Sequence, residues 1–275
     1  MNIKYRKLIA RIKPLHRIIK VVWYNSGYFS YKKIYKKKNY HELFNSMKNS
    51  CNKKSCFIIG NGPSLRTTDL DRLKNIDSFG MNEIHKVFSS TTWRPKYYLI
   101  MDRYSKTSPE QLRDVDCEYV FLGDYYCRFN KVLRDDAIRV HQHIGFNEDI
   151  FKISHDISSF VTSSPTVSFI AMQIAAYLGY KEIYLLGFDH NYSFEFASNG
   201  SIIRTNSERA HFFEDDIPED IIANVRGMQR SYECFRDYAK ENRMVVKNAT
   251  RGGKLQVFER VDFDSLFVNN RFIGN

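Results

Sequence analysis

Seven short apolar runs, at 56–59, 77–81, 97–101, 119–122, 137–140, 183–186 and 244–246, alternate with helical patterns near 65–75, 108–114, 166–178 and 219–241. Strands that alternate with helices imply a largely parallel sheet covered on both faces. The chain is therefore expected to be α/β: a Rossmann-like, mostly parallel sheet with helices on both faces, plus a basic N-terminal helical arm. In such sheets the ligand lies at the carboxyl ends of the strands. Polar residues just after each strand are thus the first candidates for a site.

The first run, Cys56-Phe57-Ile58-Ile59, stops at Gly60-Asn61-Gly62-Pro63-Ser64. A buried strand feeding a tight turn can aim backbone N–H groups at a phosphate. Gly60 and Gly62 allow close backbone approach to a ligand, and Pro63 suits a first helical position. The motif lacks the third glycine of the dinucleotide fingerprint and the Lys-Ser/Thr of a P-loop, so by itself it also fits an ordinary strand-to-helix turn. Asn82 follows the second strand, Asp102-Arg103 the third, and Gly187-Phe188-Asp189-His190-Asn191-Tyr192 the sixth. Asn and Asp are favoured as caps and turn formers anyway; their gathering at one sheet edge is what argues for a site. Before the long apolar helix, Thr162-Ser163-Ser164-Pro165-Thr166 offers hydroxyls and free N–H groups to an anion.

Charge is divided unevenly. Residues 1–55 hold 15 Lys/Arg against a single acid, Glu42, for a net +14, whereas the remainder is at −3. A nucleic-acid-binding core would carry its basic surface on the folded domain itself, so nucleic acid is not expected as a partner. The domain division drawn from this shift is a basic amphipathic arm over 1–54 and the Rossmann-like domain over 55–275. Leu8, Ile12, Leu15, Ile19 and Val22 form one helical stripe. Basic residues and aromatics interleave through Trp23, Tyr24, Tyr28, Phe29 and the run 31–38. No uncharged run reaches transmembrane length, and the internal cations do not fit a signal peptide. Residues 1–40 suit an anionic membrane surface, or a helix packed on the parent domain or a sister subunit. The five cysteines show no metal spacing and are expected to be reduced thiols.

As a set, Gly60-Asn61-Gly62-Pro63-Ser64-Leu65, the Asn82 turn and the run from Leu178-Gly179 to Leu186-Gly187-Phe188-Asp189 resemble bacterial lipooligosaccharide sialyltransferases of glycosyltransferase family 42. They also resemble the broader 6-hydroxymethylpterin pyrophosphokinase MptE-like group, found in surface-glycan and flagellin-glycosylation proteins. The closing segment, 248–258, is typical of that broader group. The resemblance implies a metal-independent transferase whose donor is a nucleotide sugar, with CMP-sialic acid or a related CMP-nonulosonate foremost, and no further cofactor. It implies that Asn61 and Asn82 contact the donor near its phosphate, with Gly60, Gly62, Ser64 and Asp189 in the turns around it. Thr166 to Ser168 would help hold the nucleotide, Tyr192 would assist the leaving phosphate, and His211 would be the catalytic base. The aromatics and acids that follow His211 match the broader group rather than the sialyltransferases, which leaves donor and acceptor open.

Glycosyl transfer requires removal of the acceptor proton and stabilisation of the departing phosphate. A His of near-neutral pKa can do the first, and Tyr, Asn and a helix N-terminus the second. The expectation is a cytoplasmic enzyme, peripheral at the inner membrane, that builds lipopolysaccharide or capsule on a glycan or lipid-linked glycan acceptor; a homo-oligomer is left open. The alternatives are a Mg-dependent diphosphokinase, with Asp102, Asp189, Asp215 and Asp216 as carboxylates, and a non-catalytic nucleotide-sugar-binding module.

Overall fold

A computed structural model describes residues 13–102, 105–147, 150–191, 194–196, 202–204, 224–269 and 271–274. Among the described residues three helices come first: α1 (Lys13–Asn25), α2 (Gly27–Lys37) and α3 (Tyr40–Met47). The sheet domain then runs β1 (Ser55–Ile59), α4 (Thr67–Arg72), β2 (Ser78–Met81), β3 (Tyr97–Ile100), α5 (Pro109–Asp114), β4 (Tyr119–Gly123), α6 (Asp124–Phe129) and β5 (Ile138–Val140). Next come β6 (Gln142–His143), β7 (Val161–Thr162), α7 (Val167–Leu178), β8 (Glu182–Leu186), β9 (Phe194–Phe196) and β10 (Ile202–Arg204). The described chain continues through α8 (Val225–Glu241), β11 (Val245–Asn248) and β12 (Glu259–Arg260).

The main sheet has eight strands in the order β12-β11-β8-β1-β2-β3-β4-β5, and every pairing in it is parallel. The chain builds outward from β1 through β5, then returns through α7 to lay β8 on the other side of β1. Strand order therefore reverses between β1 and β8, and a crevice opens there at the carboxyl edge. Along β1, Cys56 and Ile58 belong to one core and Phe57 and Ile59 to the other, all four fully buried. That alternation is the mark of a sheet covered on both faces. Helix α7 is apolar all round because it fills one of those covers: every residue except Val167 and Ala176 is buried. Gly179, in the left-handed region at φ 102°, ends it.

The basic N-terminal segment does not end where charge alone places a boundary. Tyr31 of α2 and Tyr40, Phe44 and Met47 of α3 are buried in the same core as β1 and α7. Tyr177 of α7 donates a hydrogen bond to the Phe44 carbonyl at 2.9 Å. The line drawn at residue 54 thus cuts through one packed body. Among the described helices α1 keeps a broad apolar face outside, with Leu15, Ile18, Ile19 and Val22 exposed. Among the described residues no helix is long and apolar enough to cross a membrane, and all five cysteines are free thiols.

Candidate functional site

Two turns meet at the strand-order reversal. The Gly60 N–H donates to the Leu186 carbonyl at 2.7 Å and the Gly62 N–H to the Gly187 carbonyl at 2.9 Å. Ser64 donates to Asp189 Oδ2 through its hydroxyl at 2.9 Å and its backbone N–H at 3.3 Å. These bonds occupy the N–H groups of Gly60, Gly62 and Ser64, three of those the turn was expected to offer a phosphate. Gly60 and Gly62 are small because the β8 turn lies against them. A Cβ on Gly62 would overlap the Asp189 carboxylate and sit 2.6 Å from the Gly187 carbonyl oxygen, and one on Gly60 would sit 3.0 Å from the Gly187 carbonyl carbon. Pro63 lies in this turn rather than in a helix, since α4 starts only at Thr67 after an extended Arg66. Burial pushes the Asp189 carboxyl above its ordinary range, against the opposing bonds from Ser64.

The closing segment braces the second turn from behind. Thr250 Oγ1 accepts the Phe188 N–H at 2.9 Å, and Asn248 Oδ1 accepts the Thr250 N–H at 3.0 Å. The Lys254 N–H donates to the Asp189 carbonyl at 2.6 Å. Gly253, at φ 79°, has room for no side chain, because a Cβ would lie 2.7 Å from that carbonyl oxygen.

Asn61 and Asn82 converge at the end of β2. Asn61 Nδ2 donates to the Met81 carbonyl at 3.2 Å, and Asn82 sits in the left-handed region at φ 51°, a conformation Asn tolerates. Tyr98 donates its hydroxyl proton to the Asn82 carbonyl. His85 Nδ1 lies 3.1 Å from the Tyr98 hydroxyl oxygen and donates its proton there, which leaves Nε2 as an acceptor. Burial holds the His85 pKa below its ordinary value, so the imidazole is neutral at pH 7. Among the described residues, three buried atoms in this corner have no partner: Asn61 Oδ1, Asn82 Oδ1 and His85 Nε2. All three are acceptors. A phosphate, itself an acceptor, does not satisfy them; a hydroxyl or N–H of a ligand does.

Thr166 and Ser168, at the start of α7, spend their hydroxyls on each other and on Tyr232. The Thr166–Ser168 oxygens are 2.6 Å apart, and the Tyr232 oxygen lies 2.9 Å from Ser168 and 3.4 Å from Thr166. The Tyr232 ring in turn packs edge-on against Phe188 and His190 of the β8 turn. All the donor-binding positions named from sequence therefore stand at the carboxyl edge, in two groups linked through Tyr232. Tyr192 and His211 lie outside the described residues. Among the described residues no three His, Cys, Asp or Glu side chains gather as metal ligands would; Asp215 and Asp216 are outside that set.

His85 and Tyr232 escaped the sequence reasoning. The spacing Asn82-x-x-His85, one short helical turn, was a signal for the first. For Tyr232 there was none, since its role depends on the packing of α8 over α7.

An open parallel sheet with this reversal belongs to the Rossmann-like class. The 6-hydroxymethylpterin diphosphokinase MptE-like family model matches residues 27–195, more than half of the chain, and the chain belongs to that family. Its match starts at α2, in keeping with the packing of α2 and α3 into the core. No curated protein matches the chain. Among solved structures, the MAf glycosyltransferase from Magnetospirillum magneticum AMB-1 is similar over 78% of this chain and 34% of its own, at 14% identity and a TM-score of 0.45. The chain thus spans about a third of that protein's length.

Proposed function

We propose that the protein is a glycosyltransferase of surface-polysaccharide assembly, acting in lipopolysaccharide or capsule synthesis and moving a sugar from a nucleotide donor to a glycan hydroxyl. The observation that carries this reading is the trio of unpartnered buried acceptors on Asn61, Asn82 and His85, set where strand order reverses. Nucleosides and sugars bring the hydroxyl and N–H donors that such a corner lacks. The resemblance of the turn motifs favours a CMP-linked acidic sugar, sialic acid or a related nonulosonate, with His211 as base and Tyr192 on the leaving phosphate, and without a metal.

A thermal-shift screen of nucleotides tests the first step. A ligand that binds only the folded chain adds about 2.7 kcal/mol of stability at 100 times its dissociation constant. CMP should stabilise the wild type and lose that effect in Asn82→Ala; if no nucleotide stabilises the protein, the reading falls. The family's own description favours a second reading, a diphosphokinase, which would need Mg²⁺ to bridge phosphate oxygens. Turnover that survives EDTA selects the glycosyltransferase, and turnover abolished by it selects the diphosphokinase. Loss of turnover with retained CMP binding in His211→Ala separates an enzyme from a binding module.

The exposed face of α1 supports a peripheral place at an anionic membrane. Leu15, Ile18, Ile19 and Val22 stand out of the protein, Phe29 of α2 and Phe129 of α6 are exposed as well, and Lys33, Lys36 and Lys37 are exposed along α2. Apolar insertion flanked by cations is how interfacial helices bind, at about 1 kcal/mol per cation. Ile18→Asp with Val22→Asp should keep the melting temperature and abolish co-sedimentation with phosphatidylglycerol vesicles. Undiminished co-sedimentation would refute the membrane assignment.

A further inference from the structure

At the same carboxyl edge as the strand-order reversal, two strands along the sheet from β1, lies a cavity of about 460 Å³ between α1, the end of β3, the start of α6 and the start of α7. Its wall on the arm side is Tyr24, which stacks on Tyr125 with ring centroids 4.7 Å apart. Gln142 lines it too; that side chain is 3% exposed, donates from Nε2 to the Tyr24 hydroxyl at 3.2 Å, and has no partner for Oε1 among the described residues. Asp102, Ser163 and Asn224 add further polar groups, while Met101, Val167 and Ile170 supply an apolar floor. Such a volume is that of a small-ligand site. Paired aromatic rings, an apolar floor and scattered donors and acceptors with no cluster of one charge suit a pyranose, whose ring has C–H faces and a rim of hydroxyls.

Helix α1 is held on this cavity. Asn25 exchanges two hydrogen bonds with Ile144, Nδ2 to its carbonyl and Oδ1 from its N–H, each 3.0 Å. Arg128 donates to the Trp23 carbonyl at 3.0 Å. At 100° per residue, Tyr24 faces away from Leu15, Ile18, Ile19 and Val22. One side of α1 thus walls the cavity and the other is apolar and exposed. The two are separated by one helix diameter, about 10–12 Å.

We propose that this cavity is the acceptor subsite and that the acceptor is a lipid-linked glycan, its lipid in the membrane under α1 and its sugar reaching around the helix into the cavity. The assignment rests on the glycosyltransferase reading, and it names the substrate class for that reaction. The test uses the full-length protein and phosphatidylglycerol vesicles, plain or carrying glucosyl-, galactosyl- or lactosyl-diacylglycerol. At least one glycolipid should raise vesicle affinity about tenfold over plain vesicles, the ratio that about 1.4 kcal/mol provides. Gln142→Leu and the more exposed Asp102→Asn should each erase that increment while keeping plain-vesicle binding and CMP stabilisation. The second variant serves should the first fail to fold. An increment that survives in Asp102→Asn and in any folded Gln142→Leu protein, or its absence with every glycolipid, overturns the proposal. Missing nucleotide stabilisation alongside an intact, Asp102-dependent increment would instead defeat the glycosyltransferase reading and leave a glycolipid-binding site.

Discussion

If Gly62 is a glycine because another turn lies against it, Gly62→Ala is a stability mutation before it is a binding mutation. Its φ is not in the left-handed region, so alanine meets no backbone strain there. The cost comes from what surrounds it. The new methyl overlaps the Asp189 carboxylate and lies 2.6 Å from the Gly187 carbonyl oxygen, which cannot swing away as a long side chain would. Forcing an extra methyl into a packed site costs about 1–3 kcal/mol. Moving Asp189 aside also breaks its two bonds from Ser64, and a buried polar group left unsatisfied costs about 1–3 kcal/mol more. The total, about 2–6 kcal/mol, at about 2–4 °C per kcal/mol for a protein of this size, lowers the melting temperature by roughly 4–24 °C. Gly145→Ala is the control: its Cβ meets nothing closer than 3.9 Å, and its effect should stay within about 0.5 kcal/mol. In an Asp189→Ala background part of the overlap is gone, so the Gly62 and Asp189 substitutions should couple by about 0.5–3 kcal/mol. Calorimetry on the four proteins of that cycle decides. A Gly62→Ala protein that melts with the wild type yet no longer responds to CMP would refute the argument and return the glycine to ligand approach.

Phe44→Ala should cost about 3–5 kcal/mol, because Phe44 is fully buried against Tyr40 and Tyr177; a melting temperature like that of the wild type would show α3 to be a detachable arm after all. Past the end of β11, Arg251 together with Arg72 holds the Asp264 carboxyl down at about 2, below its ordinary 3.8. Such a contribution is present above the unfolded value and fades as pH falls through the folded one. Urea unfolding should therefore find Asp264→Asn less stable than the wild type at pH 6, by a small margin since the carboxylate is half exposed. The gap should close between pH 4 and 2; a gap that widens on acidification contradicts the ion-pair assignment.

The strands were legible because each is short, apolar and bounded by turn residues, and all seven expected runs became strands of one sheet with ends shifted by a residue or two. What the letters did not carry was which neighbour makes a residue what it is. Gly60 and Gly62 announce that something comes close, and only the return of β8 beside β1 shows that it is Gly187. Thr166 and Ser168 look like anion ligands at a helix start until Tyr232, 64 residues after Ser168, takes their hydroxyls. Gln142 acquires meaning from Tyr24, 118 residues before it.

The N-terminal segment shows the same limit from the side of energetics. An apolar stripe on a basic helix reports that a face must leave water, and burial against protein or lipid relieves that face equally well. The structure packs one part of the segment into protein and leaves another part exposed. Tyr31, Tyr40, Phe44 and Met47 find protein, where they share one core with residues of α7 and β5. Leu15, Ile18, Ile19 and Val22 do not, although α1 is held in place by Trp23, Tyr24 and Asn25. A helix that stability alone had shaped would be anchored through its apolar stripe. Here polar and aromatic groups at its end do the anchoring, and the stripe is turned outward. The outward stripe and the wall that α1 builds over the cavity thus lie on opposite sides of one helix, so a membrane on that stripe, as proposed above, would stand about one helix diameter from the cavity.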